Sequence, residues 1–282
     1  MRYKLIIIFF LVSFSNYAQD NRVTVSDNLL NNPESAVYDS INSRYIISNW
    51  GDGAIVQIDS NGIQSYFSTA LQNKYKVAGL YIYGDTLLAA SGDTLNSDST
   101  GKGLTGFNLT TGNIIFHIPI LGIGLPNDIT SDKNGVIYLT DYWSDKLYRI
   151  DYRTPSIMIK EGLHYPNGIL YDENNNRLII LSVGGEGAPL LSVDLKDTSL
   201  SIIIKTGLTG GTDGITMDRE ENFYVSEWEG DEIYKFDNNF TASPTPFSSG
   251  HNDPADIYYD KVNNILVVPN FGSNSVDFIS LN

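Results

Sequence analysis

The chain has 282 residues, no cysteine and a formal net charge of −15 at pH 7. So acidic a surface repels nucleic acid and anionic lipid, while it suits cations or plain solubility. The length is enough for a single domain with a large core, and without disulfides that domain must hold together by packing and by closure of its sheet.

The first residues read as an address rather than as fold. Met1, Arg2 and Lys4 supply positive charge, Leu5 to Phe14 is an apolar run of about ten residues, and Ala18 offers a cleavage point. The run is shorter than the roughly 20 residues a membrane span needs. Residues 1–18 are therefore expected to be a signal peptide and 19–282 one exported domain, periplasmic or secreted and free of the membrane after cleavage.

The rest of the chain repeats. Six blocks open with PESAVYD at Pro33, VAGLYIY at Val77, PNDITSD at Pro126, PNGILYD at Pro166, TDGITMD at Thr212 and PADIYYD at Pro254. In each, a turn rich in Asn, Asp or Gly is followed by a second strand such as RYIIS or VIYLTD and a third such as AIVQID or KLYRID; a shorter fourth strand follows in most. Period-two alternation bounded by such turns marks antiparallel hairpins. Four-stranded units recurring at about 40 to 50 residues predict an all-β, six-bladed β-propeller. The sixth block has only three strands before Asn282, so Arg22–Ser26 is expected to supply its fourth and close the ring. Ser91–Gly103 in the second block is expected to be a long polar loop. The domain is expected to be a monomer.

First strands of a propeller line its central channel, so the residues that open them converge at one mouth. The second residue of each block is Glu34, Ala78, Asn127, Asn167, Asp213 or Ala255. Four of these carry side-chain oxygen and none is basic, which is the donor chemistry of a hard divalent cation such as calcium. Asn, Asp and Glu also serve as turn residues, but four at one register facing one channel point to a shared site. The loops between second and third strands lie on the same face and carry Trp50, Tyr142, Trp143, Trp228 and Phe271, an aromatic rim for a small molecule. These aromatics could equally pack between blades. His164 and His251 enter the same face, and His164 is a further candidate for substrate contact. No Gly-Xaa-Ser-Xaa-Gly or phosphate-binding glycine motif occurs.

With Pro33-Glu34, Pro126-Asn127-Asp128, Pro166-Asn167-Gly168 and Asp213-Gly214 in that order, the chain resembles the senescence-marker-protein/gluconolactonase (regucalcin-like) family of six-bladed propellers. The resemblance implies that Glu34, Asn167 and Asp213 hold a divalent metal, usually calcium, that Asn127 meets the substrate, and that Asp213 acts as general base in hydrolysis of a lactone or ester. Asp128 is a second candidate base, although it also fits a turn cap. Lactonases of the family often carry an Arg just before the third-blade Asn to bind sugar hydroxyls; here Gly122–Pro126 contains none, which speaks against a sugar-acid lactone. Blades such as VIYLTDYWSDKLYRID also resemble NHL-type repeats, so the alternative is a non-catalytic propeller that binds a ligand or protein at the same face.

Overall fold

The structure is a computed structural model, and it describes residues 21–26, 28–94 and 101–281. The segment read as a signal peptide lies outside them, as does the middle of the second-block loop. Six four-stranded antiparallel sheets form, each joining strands consecutive in sequence except the sixth. That sheet takes Tyr258–Asp260, Ile265–Asn270 and Ser275–Ser280 from the end of the chain and Asn21–Ser26 from its start. Asn21–Ser26 pairs in register with Ser280–Ser275, so the ring is closed by the strand the sequence nominates. The fold is a six-bladed β-propeller. Among the described residues no helix is long and apolar enough to cross a membrane.

One expectation needs correcting. Ser91–Thr94 is not loop but the continuation of a nine-residue strand, Thr86–Thr94, paired back as far as Tyr75. Tyr75–Tyr83 supplies its backbone partners out to Thr94, and Gly103–Asn108 pairs with it on the other side as far as Ser91, which outweighs the polar composition.

Packing follows the alternation. The inner three strands of each blade bury most of their apolar residues, the outer strands leave many exposed, and the buried side chains fall into six clusters, one at each contact between neighbouring blades. Val37, Ile46 and Phe67 of the first blade meet Leu80, Leu87 and Phe107 of the second, for example. The first strands end on a repeated device. Asp39, Asp132, Asp172, Asp218 and Asp260 each accept hydrogen bonds from the hairpin turn that follows, as Asp39 does from the amides of Ile41 and Asn42.

The feature that positions the channel residues is a bulge. In the first strands of blades one to five the pairing register slips between the first and fourth residue of the block: Pro33/Ala36, Val77/Leu80, Pro126/Ile129, Pro166/Ile169 and Thr212/Ile215. Three steps on the first strand face two on the second, so the second and third residues fall outside the ladder and can be aimed into the channel. The third residues sit at the tightest point. A Cβ on Gly168 would overlap the carbonyl oxygen of Asp213, and one on Gly214 the amide of Ile257, which is why glycine stands at both positions.

Candidate functional site

A cavity of about 470 Å³ opens at the mouth of the channel. Glu34, Asn127, Asn167 and Asp213 all line it, each between 6 and 9 % exposed. The structure thus brings the four oxygen-bearing residues of the register together from four different blades. Of the aromatic rim, Trp50, Tyr142, Trp228 and Phe271 line the cavity. Trp143 does not: it is 63 % exposed and packs edge-on against Tyr142 and Tyr165 outside the cavity. His164 is not brought in either, because its chain turns through a left-handed conformation (φ 56°) and it borders a separate depression with Gly162 and Glu186. His251 is buried away from the mouth, between Ser248 and Asp277. Residues that sequence reasoning passed over are Thr212, Leu125, Val183, Glu229 and the Thr209–Gly211 backbone. All but Val183 and Glu229 lie in or at the end of the loops entering the third and fifth first strands, and that position was the available signal.

The hydrogen bonding around these residues is uneven. The third residues that carry polar side chains, Ser35, Asp128 and Asp256, have hydrogen-bond partners. Asp128 accepts from the amides of Ile129 (2.6 Å) and Ile169 (2.8 Å), the latter on the next blade. Ser35 donates to Asp256 at 2.6 Å and accepts from the Leu80 amide. Hydroxyls from the second strands fill the gaps left by the bulges. Thr140 accepts from the Asp128 amide (2.9 Å) and donates to the Asn167 carbonyl (2.8 Å), while Ser226 accepts from the Gly214 amide and donates to the Ala255 carbonyl. Each hydroxyl ties its own blade to the next at the level of the cavity.

One residue nearer the mouth, the pattern reverses. Glu34 Oε2, Asn127 Oδ1, Asn167 Oδ1 and Asp213 Oδ1 are buried, and none has a hydrogen-bond partner; the Thr212 hydroxyl is in the same state. A buried acceptor without a donor costs roughly 1–3 kcal/mol, so four at one place, one per blade, call for a ligand that offers positive charge. The electrostatics agree. Burial, then the charges of Asp213, Asp256 and Asp128, push Glu34 well above the usual carboxylate range. Burial and then Asp128 raise Asp213 to about 7, against a hydrogen bond from Asn167; burial raises Asp128 to about 7 against its two amide bonds. Among the described residues that line the cavity there is no Lys, Arg or His. Among the described residues no group of three or more His, Cys, Asp or Glu is placed to hold a metal, so the donor set for a cation here is mixed, carboxylate and amide oxygen together. That set fits a hard divalent ion.

Thr140 makes a test of the scaffold. Thr140→Val should leave the Asp128 amide and Asn167 carbonyl unpaired at a cost of about 1–3 kcal/mol, read as a fall in the thermal midpoint. A melt within 1 °C of wild type, by rough reckoning from the usual scaling of midpoint with stability, would show that the hydroxyl ties nothing.

Fold and cavity together define a six-bladed propeller with a ring of carboxylate and amide oxygens at its channel mouth. The family described as SMP-30/Gluconolactonase/LRE-like region matches residues 123–242, which span blades three and four and the first three strands of blade five and include Asn127, Asn167 and Asp213. The resemblance read from the motifs is thus found, and it supports a lactonase-type propeller. No curated protein matches the chain. Among solved structures it is similar to a gluconolactonase from Xanthomonas campestris, with 13% identity, TM-score 0.71 and coverage of 89% of this chain and 86% of that one. It is similar also to a catalytically inactive variant of virginiamycin B lyase from Staphylococcus aureus solved with quinupristin, with 15% identity, TM-score 0.67 and coverage of 93% and 99%. A protein of unknown function from Bacteroides thetaiotaomicron gives 12% identity, TM-score 0.70 and coverage of 89% and 70%. At these identities the likeness is one of fold.

Proposed function

We propose that the protein is an exported, metal-dependent hydrolase of a lactone or ester, acting at the channel mouth. The observation that carries this reading is the set of four buried, partnerless oxygens on Glu34, Asn127, Asn167 and Asp213. Glu34, Asn167 and Asp213 would hold a divalent cation, calcium by their chemistry. Bound there, the cation supplies Lewis-acid polarisation of a carbonyl and charge for the oxyanion that develops on attack. Asn127 orients the substrate beside it. Asp213 takes the proton of the attacking water on a carboxylate oxygen. The water oxygen bonds to the carbonyl carbon, the carbon–oxygen bond of the ester breaks, and the proton passes from Asp213 to the departing alkoxide. The aromatic wall keeps bulk water from the reacting atoms.

Metal content and hydrolysis of a panel of lactones and aryl esters, before and after chelation, test the reading. Turnover should accompany bound divalent metal and disappear with it. Turnover that survives complete chelation would sink the metal-dependent mechanism. Stoichiometric metal with no turnover on any substrate would make the chain a binding propeller instead.

A further inference from the structure

The cavity has two unlike halves. Its floor is polar: the four ring residues and Thr212, whose buried hydroxyl has no partner. Its wall is apolar, built from Trp50, Leu125, Tyr142, Val183, Trp228 and Phe271. Two of the wall's large rings have ring or cation partners. Lys76 Nζ lies 4.8 Å from the centre of the Trp50 ring, and Phe271 sits 4.7 Å from Trp228 at 59°. Tyr142 carries the apolar surface outward, since it touches both Trp143 and Tyr165, which are 63 and 48 % exposed. Ring contacts therefore lead from Tyr142 in the cavity to the exposed Trp143 and Tyr165 outside it.

This division decides between ligand classes. A carboxylate or phosphate on the part of the substrate that lies beyond the cation would find no Lys, Arg or His among the described residues lining the cavity and would face Glu229. A polyol would bring several hydroxyls against indole and aliphatic carbon, where each one unpaired costs free energy. An uncharged chain or ring meets neither penalty. We propose that the substrate is an uncharged lactone carrying an apolar arm, alkyl or aryl, with its carbonyl over the ring, its arm along Trp228 toward the Tyr142 rim, and the Thr212 hydroxyl donating to an oxygen of the lactone. This rests on the hydrolase reading for the reaction but not for the binding.

The test uses the whole protein with calcium and two ligand series. In the first, kcat/KM is compared for δ-valerolactone, δ-decanolactone and glucono-δ-lactone. The arm should raise kcat/KM by on the order of 10²–10³, since each buried methylene contributes about a threefold to fourfold gain, and the gluconolactone should rank last. In the second, binding of δ-valerolactam and its five-carbon alkyl derivative is followed by tryptophan fluorescence. These cannot be hydrolysed as the lactones are, so they report on the cavity alone. The alkyl lactam should bind on the order of 10²-fold tighter, Trp228→Ala should remove at least about tenfold of that gain, and Trp228→Phe should restore most of it. Preference for gluconolactone with active enzyme overturns the substrate class and leaves the hydrolase standing. Arm-dependent lactam binding without turnover of any lactone supports the ligand class and removes the hydrolase. Equal binding of the two lactams overturns the inference.

Discussion

Asp213→Asn should abolish turnover and yet make the metal-free protein more stable. Loss of the general base costs about 10²–10⁴ in rate, and the amide is also a poorer ligand for a cation. The stability effect has the opposite sign because of what surrounds the carboxylate. Burial and the charge of Asp128 raise Asp213 to about 7 in the folded protein, above the 3.9 or so of an unfolded chain. A carboxyl whose folded value is raised gives stability that is complete below the unfolded value and is lost as pH climbs through the folded one. In chelator, wild type should therefore lose stability between about pH 4 and pH 8. Asp128, also raised to about 7, contributes to the same slope. The Asn variant lacks the Asp213 share, so at pH 8 it should melt above wild type. Calcium should reverse the order. An ion at 100 times its dissociation constant adds about 2.7 kcal/mol, or roughly 5–10 °C at the usual 2–4 °C per kcal/mol, and only wild type should gain it fully. Melts of both proteins, with calcium and with chelator, at pH 5 and pH 8 give the answer. A variant that melts below wild type at pH 8 in chelator would show that Asp213 is not an uncompensated buried charge.

Much of this was legible in the sequence, for reasons that differ between fold and site. The blades could be read because each strand alternates and each turn carries its Asx or Gly, both local properties. Closure by Arg22–Ser26 could be read because a three-stranded sixth block left an edge unpaired. The channel ring was legible only through comparison of registers: nothing near Asn167 marks it, but Glu34, Asn127 and Asp213 hold the same place in their blocks. The bulges that aim these residues were not legible, because a bulge is a count of one strand against its partner. Trp143 and Tyr142 are adjacent in one loop, yet Tyr142 lines the cavity and Trp143 stands outside it. Sequence placed both on the right face but could not choose between them. His164 fails for a related reason, since the left-handed turn at His164 and Tyr165 is a backbone fact without a glycine to announce it.

The least legible feature carries the largest expected stability effect. Ser248, His251 and Asp277 come together where the fifth blade packs on the sixth, and the closing strand adds Arg22 and Thr24. His251 Nδ1 lies 2.9 Å from Asp277 and its Nε2 lies 2.8 Å from the Ser248 hydroxyl. The arrangement has the order of a nucleophilic triad, but Ser248 is 2 % exposed and Arg22 donates to its hydroxyl at 2.8 Å. It is a clasp. Arg22 also donates to the carbonyls of Ser249 and Gly250, and Thr24 donates to Asp277 at 2.5 Å, so both residues of the closing strand are held by the group that holds His251. Asp277→Ala would leave the buried Nδ1 of His251 facing a void and take the acceptor from Thr24 on the closing strand. Breaking a buried charged network costs about 3–5 kcal/mol, so the thermal midpoint should fall by on the order of 10 °C with the metal site intact. The pH dependence identifies the cause. Burial raises Asp277, but hydrogen bonds from His251, Thr24 and Asn270 outweigh it and leave the carboxyl below its usual value. Such a group stabilises above the unfolded value and is lost as pH falls through the folded one. The gap between wild type and Asp277→Ala should therefore be full at neutral pH and close only in acid, below about pH 4. Hydrogen exchange in Asn21–Ser26 gives the second readout: its amides should exchange faster in the variant while those of Pro126–Ser131 keep their protection. Uniform loss of protection around all six blades would mean that the strand is not held locally and that the clasp acts on the ring as a whole.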